Sequence, residues 1–69
     1  MEYLIDAQRH LVCLPYSAAN LHAMAHDLGI KRCWFHWDHY DVPKRRVEEV
    51  AARCVAVRPR DILRVVRGR

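Results

Sequence analysis

The chain has 69 residues, a formal net charge of +4 and a hydrophobic content of 52%, a composition that favours a folded core over disorder. A chain this short forms one domain at most and buries only about 60% of its unfolded surface, so residues 1–69 are expected to be a single domain stabilised as a homodimer. No run reaches the ~18 apolar residues of a membrane span and the N-terminus lacks signal-peptide features, so we expect a cytoplasmic protein without membrane contact.

The first half of the chain predicts two extended segments and one helix. Residues 3–6 are typical of a short strand that ends in an acid, and residues 10–14 of a second strand or buried extended segment. Ser17 is a suitable N-cap and Gly29 a suitable stop for a helix over about residues 18–28. Its apolar residues recur at i, i+3, i+4 and i+7: Leu21, Met24, Ala25 and Leu28.

The second half of the chain predicts two more strands and two more helices. Residues 33–35 are expected to form a buried strand, and Asp41 is expected to cap the helix that follows. The apolar stripe of that helix is Val47, Val50, Ala51 and Cys54. Residues 55–57 are a further strand candidate, and Pro59 suits the first turn of a last helix. The inward residues of the last helix are expected to be Ile62, Leu63 and Val66.

Strands that alternate with helices predict βαβ units with right-handed crossovers. We therefore expect an α/β fold with a small, three- to four-stranded, mainly parallel sheet and two to three helices. Ligands of such sheets lie beyond the carboxyl ends of the strands. Asp6, residues 36–41 and Arg58 all follow predicted strands and are expected to converge there.

The three cysteines include no CxxC pair and match neither a disulfide framework nor a zinc pattern. Cys13, Cys33 and Cys54 each lie within or beside an apolar run, where a free thiol behaves as a small hydrophobe. We expect all three to be structural. For Cys33 the alternative is a reactive thiolate, because Lys31 and Arg32 precede it.

The densest group of titratable side chains is the run from His36 to Asp41, which reads His-Trp-Asp-His-Tyr-Asp. Because each polar atom buried without a partner costs about 1–3 kcal/mol, this run is expected at a rim. The predicted pocket comprises five residues, Asp6, His36, His39, Tyr40 and Asp41, and the further ligand-binding candidates are His22 and Arg58.

His39 can form an acid–base pair with Asp41 or Asp6, because imidazole titrates near physiological pH and a carboxylate fixes its tautomer. The alternative is that Asp41 only caps the next helix. His36 and His39 also offer donors that zinc prefers, but His-x-x-His alone matches no strong metal motif. No metal ligand is therefore assigned, and the cofactor is left unknown. His22 and His26 are expected to form a solvated helix flank.

Positive charge is concentrated towards the C-terminus, since residues 1–43 carry a formal charge of −2 and residues 44–69 carry +6. The predicted last helix has a basic stripe, Arg60, Arg64 and Arg67. Two more cations stand at the start of the preceding helix, where they oppose its macrodipole: Lys44 and Arg45. This placement indicates an anionic partner, with a solvated surface as the alternative. Trp37 is the expected anchor of an interface if one sheet face is open.

Four segments in order resemble a short bacterial and bacteriophage family, the domain of unknown function DUF4031. These segments are Leu21–Ala25, Leu28–Ile30, Arg32–Phe35 and His39–Asp41, and the resemblance extends from about Tyr3 to Ile62. It implies a small cytoplasmic protein that a phage can encode, and it implies no established activity.

Two functions follow as expectations. The first is a binding or regulatory protein that engages a host protein or nucleic acid through the basic C-terminal face and the aromatic and histidine cluster. The second is a small hydrolase or phosphate-handling enzyme in which His39 and Asp41 are the acid–base pair, with or without a metal. The sequence does not decide whether the chain is an enzyme.

Overall fold

A computed structural model describes residues 1–68 of the chain. Its strands are β1 (Glu2–Ile5), β2 (His10–Leu14), β3 (Phe35–His36), β4 (His39–Asp41) and β5 (Val55–Ala56). Its α-helices are α1 (Ala18–Leu28), α2 (Val47–Ala51) and α3 (Pro59–Val66), and short 3₁₀ turns span Arg32–Trp34 and Lys44–Arg46. Within this described part, no helix has the length and apolar character needed to cross a bilayer.

The strands form one mixed sheet in the order β3-β4-β2-β1-β5. Among residues 1–68, only β1 and β5 pair in parallel, and the three other strand pairings are antiparallel. The prediction of an α/β fold is confirmed, but the prediction of three or four mainly parallel strands is wrong. The reason is loop length: residues 6–9 join β1 to β2 and residues 37–38 join β3 to β4, whereas a parallel crossover needs a dozen or more residues.

The pairing register assigns side chains to the two faces of the sheet, because successive residues of a strand point to opposite faces. Leu11 lies opposite both Ile5 and Tyr40, so these three side chains share one face. Helix α1 covers this face, since the Tyr40 hydroxyl lies 2.8 Å from His22 Nδ1 on α1. The other face carries His10, and α3 packs against it across β2.

Helix α1 has the bounds that its sequence predicts. The Ser17 side chain accepts a hydrogen bond from the Asn20 N–H at 3.0 Å, and Gly29 ends the helix in the left-handed conformation at φ 71°. Arg46 then donates to the carbonyl oxygens of Leu28 and Gly29, each at 2.7 Å. The guanidinium therefore satisfies carbonyls that the helix end leaves without intrahelical partners.

The segments after α1 differ from the predictions in two places. The Trp34 N–H donates to the Lys31 carbonyl at 3.0 Å, which closes a turn where a buried strand was expected. Cys33 is exposed in that turn, whereas Cys13 is buried and Cys54 half-buried as free thiols. Asp41 does not cap a helix, because it pairs with His10 as the last residue of β4.

Helix α3 begins at Pro59 as predicted. The Asp61 carboxylate accepts a hydrogen bond from the Arg58 N–H at 3.0 Å, and this bond lowers the pKa of Asp61. Ile62 is buried, but Leu63 is 48% exposed and does not pack fully inward as expected. The helix therefore presents a partly apolar surface beside the sheet.

Gly29→Ala is expected to lower the free energy of unfolding by about 1 kcal/mol, because an L-residue is disfavoured at positive φ. The added Cβ would lie 3.6 Å from the nearest Arg46 nitrogen, an ordinary contact, so the cost would come from the backbone. Gly68→Ala is the matched control, since Gly68 has the same φ of 71° but lies beyond α3 with nothing within 4 Å. Urea denaturation measures both. Because Gly68 shares the positive φ, a similar loss in Gly68→Ala would support a backbone origin of the cost, and a Gly29→Ala protein as stable as the wild type would contradict it.

Candidate metal centre

Asp6 is a buried carboxylate at the end of β1, and its side chain is 0% exposed. Its Oδ1 accepts hydrogen bonds from the backbone N–H groups of Gln8 at 2.9 Å and His10 at 3.0 Å. Its Oδ2 lies 2.8 Å from His10 Nδ1. An ionised carboxylate can only accept, so this contact favours a proton on His10 Nδ1, a tautomer that would leave Nε2 as a lone-pair donor. Asp6 therefore shapes the loop between β1 and β2 and orients His10.

His39 lies beside His10, because the register between β2 and β4 places His10 opposite Asp41. The ring centroids of His10 and His39 are 5.0 Å apart, with the ring planes at 86°. His39 Nδ1 is 2.7 Å from Asp38 Oδ1, and His39 Nε2 is 3.2 Å from Asp41 Oδ1. Each imidazole thus has a carboxylate at its Nδ1.

Three half-buried residues can supply donors to one metal ion. A ring nitrogen of His10, a ring nitrogen of His39 and a carboxylate oxygen of Asp41 all lie within 4.8 Å of one another. A tetrahedral ion with bonds of 2.0–2.2 Å separates its ligand atoms by roughly 3.3–3.6 Å. The 3.2 Å between His39 Nε2 and Asp41 Oδ1 is already close to this separation. Two imidazoles and one carboxylate leave coordination positions open for water or substrate.

The surroundings of these donors also suit a cation. Metal-binding histidines usually donate their second ring N–H to a carboxylate, which fixes the tautomer and raises ligand basicity. Asp6 is the carboxylate beside Nδ1 of His10, and Asp38 is the carboxylate beside Nδ1 of His39. With Asp41, three carboxylates surround two imidazoles, so a divalent ion would offset a local excess of negative charge.

A groove of about 410 Å³ lies beside His10 and His39, and residues of the sheet and of α3 form its opposite walls. His10, His36 and His39 line its sheet side, and Trp37 lies at the turn between β3 and β4. The α3 side is apolar and consists of Pro59, Ile62, Leu63 and Val66. The site therefore combines titratable groups on one wall with a hydrophobic surface on the other.

Residues 6–69 match a protein family of unknown function, DUF4031. The chain belongs to this family. No curated protein and no solved structure matches the chain. The match to DUF4031 spans Asp6, both strands of the candidate metal centre and α3, and so includes the whole site.

The structure places four of the five residues predicted for the pocket at this site. Asp6 contacts His10, while His39 and Asp41 contact each other. His36 lies next to His39, with ring centroids 5.5 Å apart, and lines the groove.

The structure separates Tyr40 from this pocket, because alternation along β4 sends its side chain to the face under α1. Tyr40 is 1% exposed, and burial raises the pKa of its phenol, which keeps its proton and can donate to His22. His22 therefore also lies outside the predicted pocket. Arg58 is exposed at the N-cap of α3, with its Nε 3.7 Å from Asp61.

His10 is the site residue that the sequence analysis missed. A parallel sheet would place the start of β2 far from the end of β4, whereas antiparallel pairing places them side by side. Two local signals point to the hairpin: the polar residues Gln8 and Arg9 interrupt two apolar segments, and Asp6 precedes a histidine by four positions.

Asp6→Ala is expected to lower the free energy of unfolding by about 1–3 kcal/mol, because it leaves buried donors without an acceptor. Asp6→Asn should cost less, since its amide oxygen can still accept from the two backbone N–H groups. Asp38→Ala is the control, because that carboxylate is 52% exposed. Urea denaturation in the presence of a chelator gives all three values. An Asp6→Ala protein as stable as the wild type would contradict the role of this carboxylate.

Proposed function

We propose that the chain is a small metal-dependent hydrolase of phosphate esters, in which His10, His39 and Asp41 hold one divalent ion such as Zn²⁺. One observation carries the proposal: a ring nitrogen of His10, a ring nitrogen of His39 and a carboxylate oxygen of Asp41 lie within 4.8 Å of one another, and each imidazole has a carboxylate beside its Nδ1. A bound ion lowers the pKa of a coordinated water and polarises a phosphoryl oxygen.

A phosphate ester is the substrate class that the charge distribution favours. Helix α3, which forms the second wall of the groove, carries the exposed cations Arg60 and Arg64. A cationic surface beside an open site raises the local concentration of an anionic substrate. The apolar residues of the groove can bind the organic part of that ester.

In the hydrolytic step, His36 is the candidate general acid. Water gives one proton to solvent, and its oxygen forms a bond to phosphorus while the ester P–O bond breaks. The electron pair of that bond leaves with the alcohol oxygen, which takes up a proton. His36 is exposed on the groove wall, 5.5 Å from His39 between ring centroids, and as imidazolium it can donate this proton.

A binding or regulatory protein is the second candidate, and the basic surface favours it. Arg60 and Arg64 are exposed on α3, and Lys44 and Arg45 are exposed on the 3₁₀ turn before α2. In this function the partner is a host protein with an acidic surface or a nucleic acid. Changing Arg60 and Arg64 to Glu should then abolish partner capture, whereas His39→Ala should leave it intact.

Three other expectations stay predictions: a homodimer, a cytoplasmic location and a phage origin. The homodimer follows from the short chain, which has little core to stabilise it alone. Sedimentation at micromolar concentration tests it, and a monomer there would contradict it.

The metal centre predicts one bound Zn²⁺ or Co²⁺ per chain. His10→Ala, His39→Ala and Asp41→Ala should each weaken binding by at least about 100-fold, because each removes a ligand. His26→Ala is the matched control, since His26 is an exposed histidine on α1 outside the groove. Calorimetry and the visible spectrum of Co²⁺ measure the affinity. Equal effects of His26→Ala and His39→Ala would contradict the assignment.

The hydrolase predicts metal-dependent cleavage of a chromogenic phosphodiester. A chelator or His39→Ala should abolish the activity. His36→Ala should lower kcat by roughly 100-fold with unchanged metal affinity, as expected for loss of a general acid. His26→Ala should retain full activity. Cleavage that survives complete removal of metal would overturn the mechanism.

A further inference from the structure

We infer that Trp37 is a stacking platform for a nucleobase, and that the substrate is therefore single-stranded nucleic acid. This inference rests on the proposed function, because it places the phosphodiester of the strand at the metal centre. It goes further by naming the group that occupies the groove beside that centre.

Trp37 is held outward by the backbone of the turn between β3 and β4. The Asp38 N–H donates to the His36 carbonyl at 2.7 Å, which places Trp37 at the centre of a tight turn with φ 60°. The Tyr16 hydroxyl donates to the Asp38 carbonyl at 2.8 Å and ties the turn to the segment before α1. The indole is nonetheless 87% exposed. A large ring on an anchored turn with so little contact is available for a ligand.

The indole belongs to a line of rings that leads to the metal centre. The ring centroids of Trp37 and His36 are 5.1 Å apart with an interplanar angle of 31°, and His36 is followed by His39 at 5.5 Å. His39 is in turn 5.0 Å from His10. Trp37 also lines the groove that contains these histidines. A base stacked on the indole would therefore lie beside the same groove that His10 and His39 line.

The opposite wall supplies apolar surface and positive charge next to each other. Leu63 is 48% exposed at the rim of the groove. Arg60 precedes it by three residues, so it adjoins Leu63 on the surface of α3. Proteins that bind single strands combine an aromatic platform for the bases with cations along the phosphate backbone.

The size of the groove agrees with this occupant. A volume of about 410 Å³ lies at the lower end of the range for small-ligand sites and suits a single nucleotide unit. An acidic protein partner would account for the arginines but not for an anchored indole beside a set of metal donors. A nucleobase linked to a phosphodiester accounts for both.

The test measures binding of a fluorescent single-stranded oligonucleotide to the intact chain in a chelator, which prevents cleavage. The matched ligand is an abasic oligonucleotide with the same number of phosphates. We expect at least 10-fold weaker binding of the abasic strand. Trp37→Ala should weaken binding of the base-bearing strand by roughly 10- to 100-fold and leave the abasic strand unaffected. Trp34→Ala is the control, since Trp34 is 40% exposed but does not line the groove.

Each outcome supports or overturns the inference. Equal affinity for base-bearing and abasic strands, no effect of Trp37→Ala, or equally effective competition by poly-glutamate would overturn it. Base-dependent binding supports the inference whether the strand is RNA or DNA. Comparing the affinities of a ribo-oligonucleotide and a deoxyribo-oligonucleotide of the same sequence then shows which sugar the site prefers. A Co²⁺ titration of the same preparations separates the two proposals. Metal uptake without base-dependent binding would overturn only the nucleobase site. Base-dependent binding without metal uptake would overturn the hydrolase and leave a site that binds single strands without cleaving them.

Discussion

The carboxylate of Asp6 is the interaction on which the site depends. Its Oδ1 accepts hydrogen bonds from the backbone N–H groups of Gln8 and His10, its Oδ2 lies 2.8 Å from His10 Nδ1, and its side chain has no solvent exposure. The same group therefore turns the chain between two central strands and sets the proton position on an imidazole. Because both effects come from one buried anion, the hairpin and the metal donor are coupled in this protein.

The three side chains of β4 alternate between the two faces of the sheet. His39 and Asp41 lie on the face of the sheet that carries His10, and Tyr40 between them points into the core beneath α1. The hydrogen bond between Tyr40 and His22 joins the sheet to α1 directly behind the site. Donors on one face of β4 are thus supported by packing on the other, which limits how far they can move apart.

The parts of the fold that local chemistry determines could be predicted from the sequence. Ser17 and Gly29 bound α1, and Pro59 begins α3, because caps act on adjacent residues. Strand direction could not be predicted in the same way, since it depends on pairing between distant segments. That error placed Tyr40 in the pocket and omitted His10, although Asp6, His39 and Asp41 were identified from their residue types alone.

The two outermost strands of the sheet, β3 and β5, are only two residues long each. A strand so short has few unpaired backbone N–H and C=O groups, so a strand from another chain could form few hydrogen bonds with it. The sheet is in this sense protected against edge-to-edge growth and aggregation. Any self-association of this protein is therefore expected to proceed through helix surfaces or the groove, where side chains rather than backbone determine which partner fits.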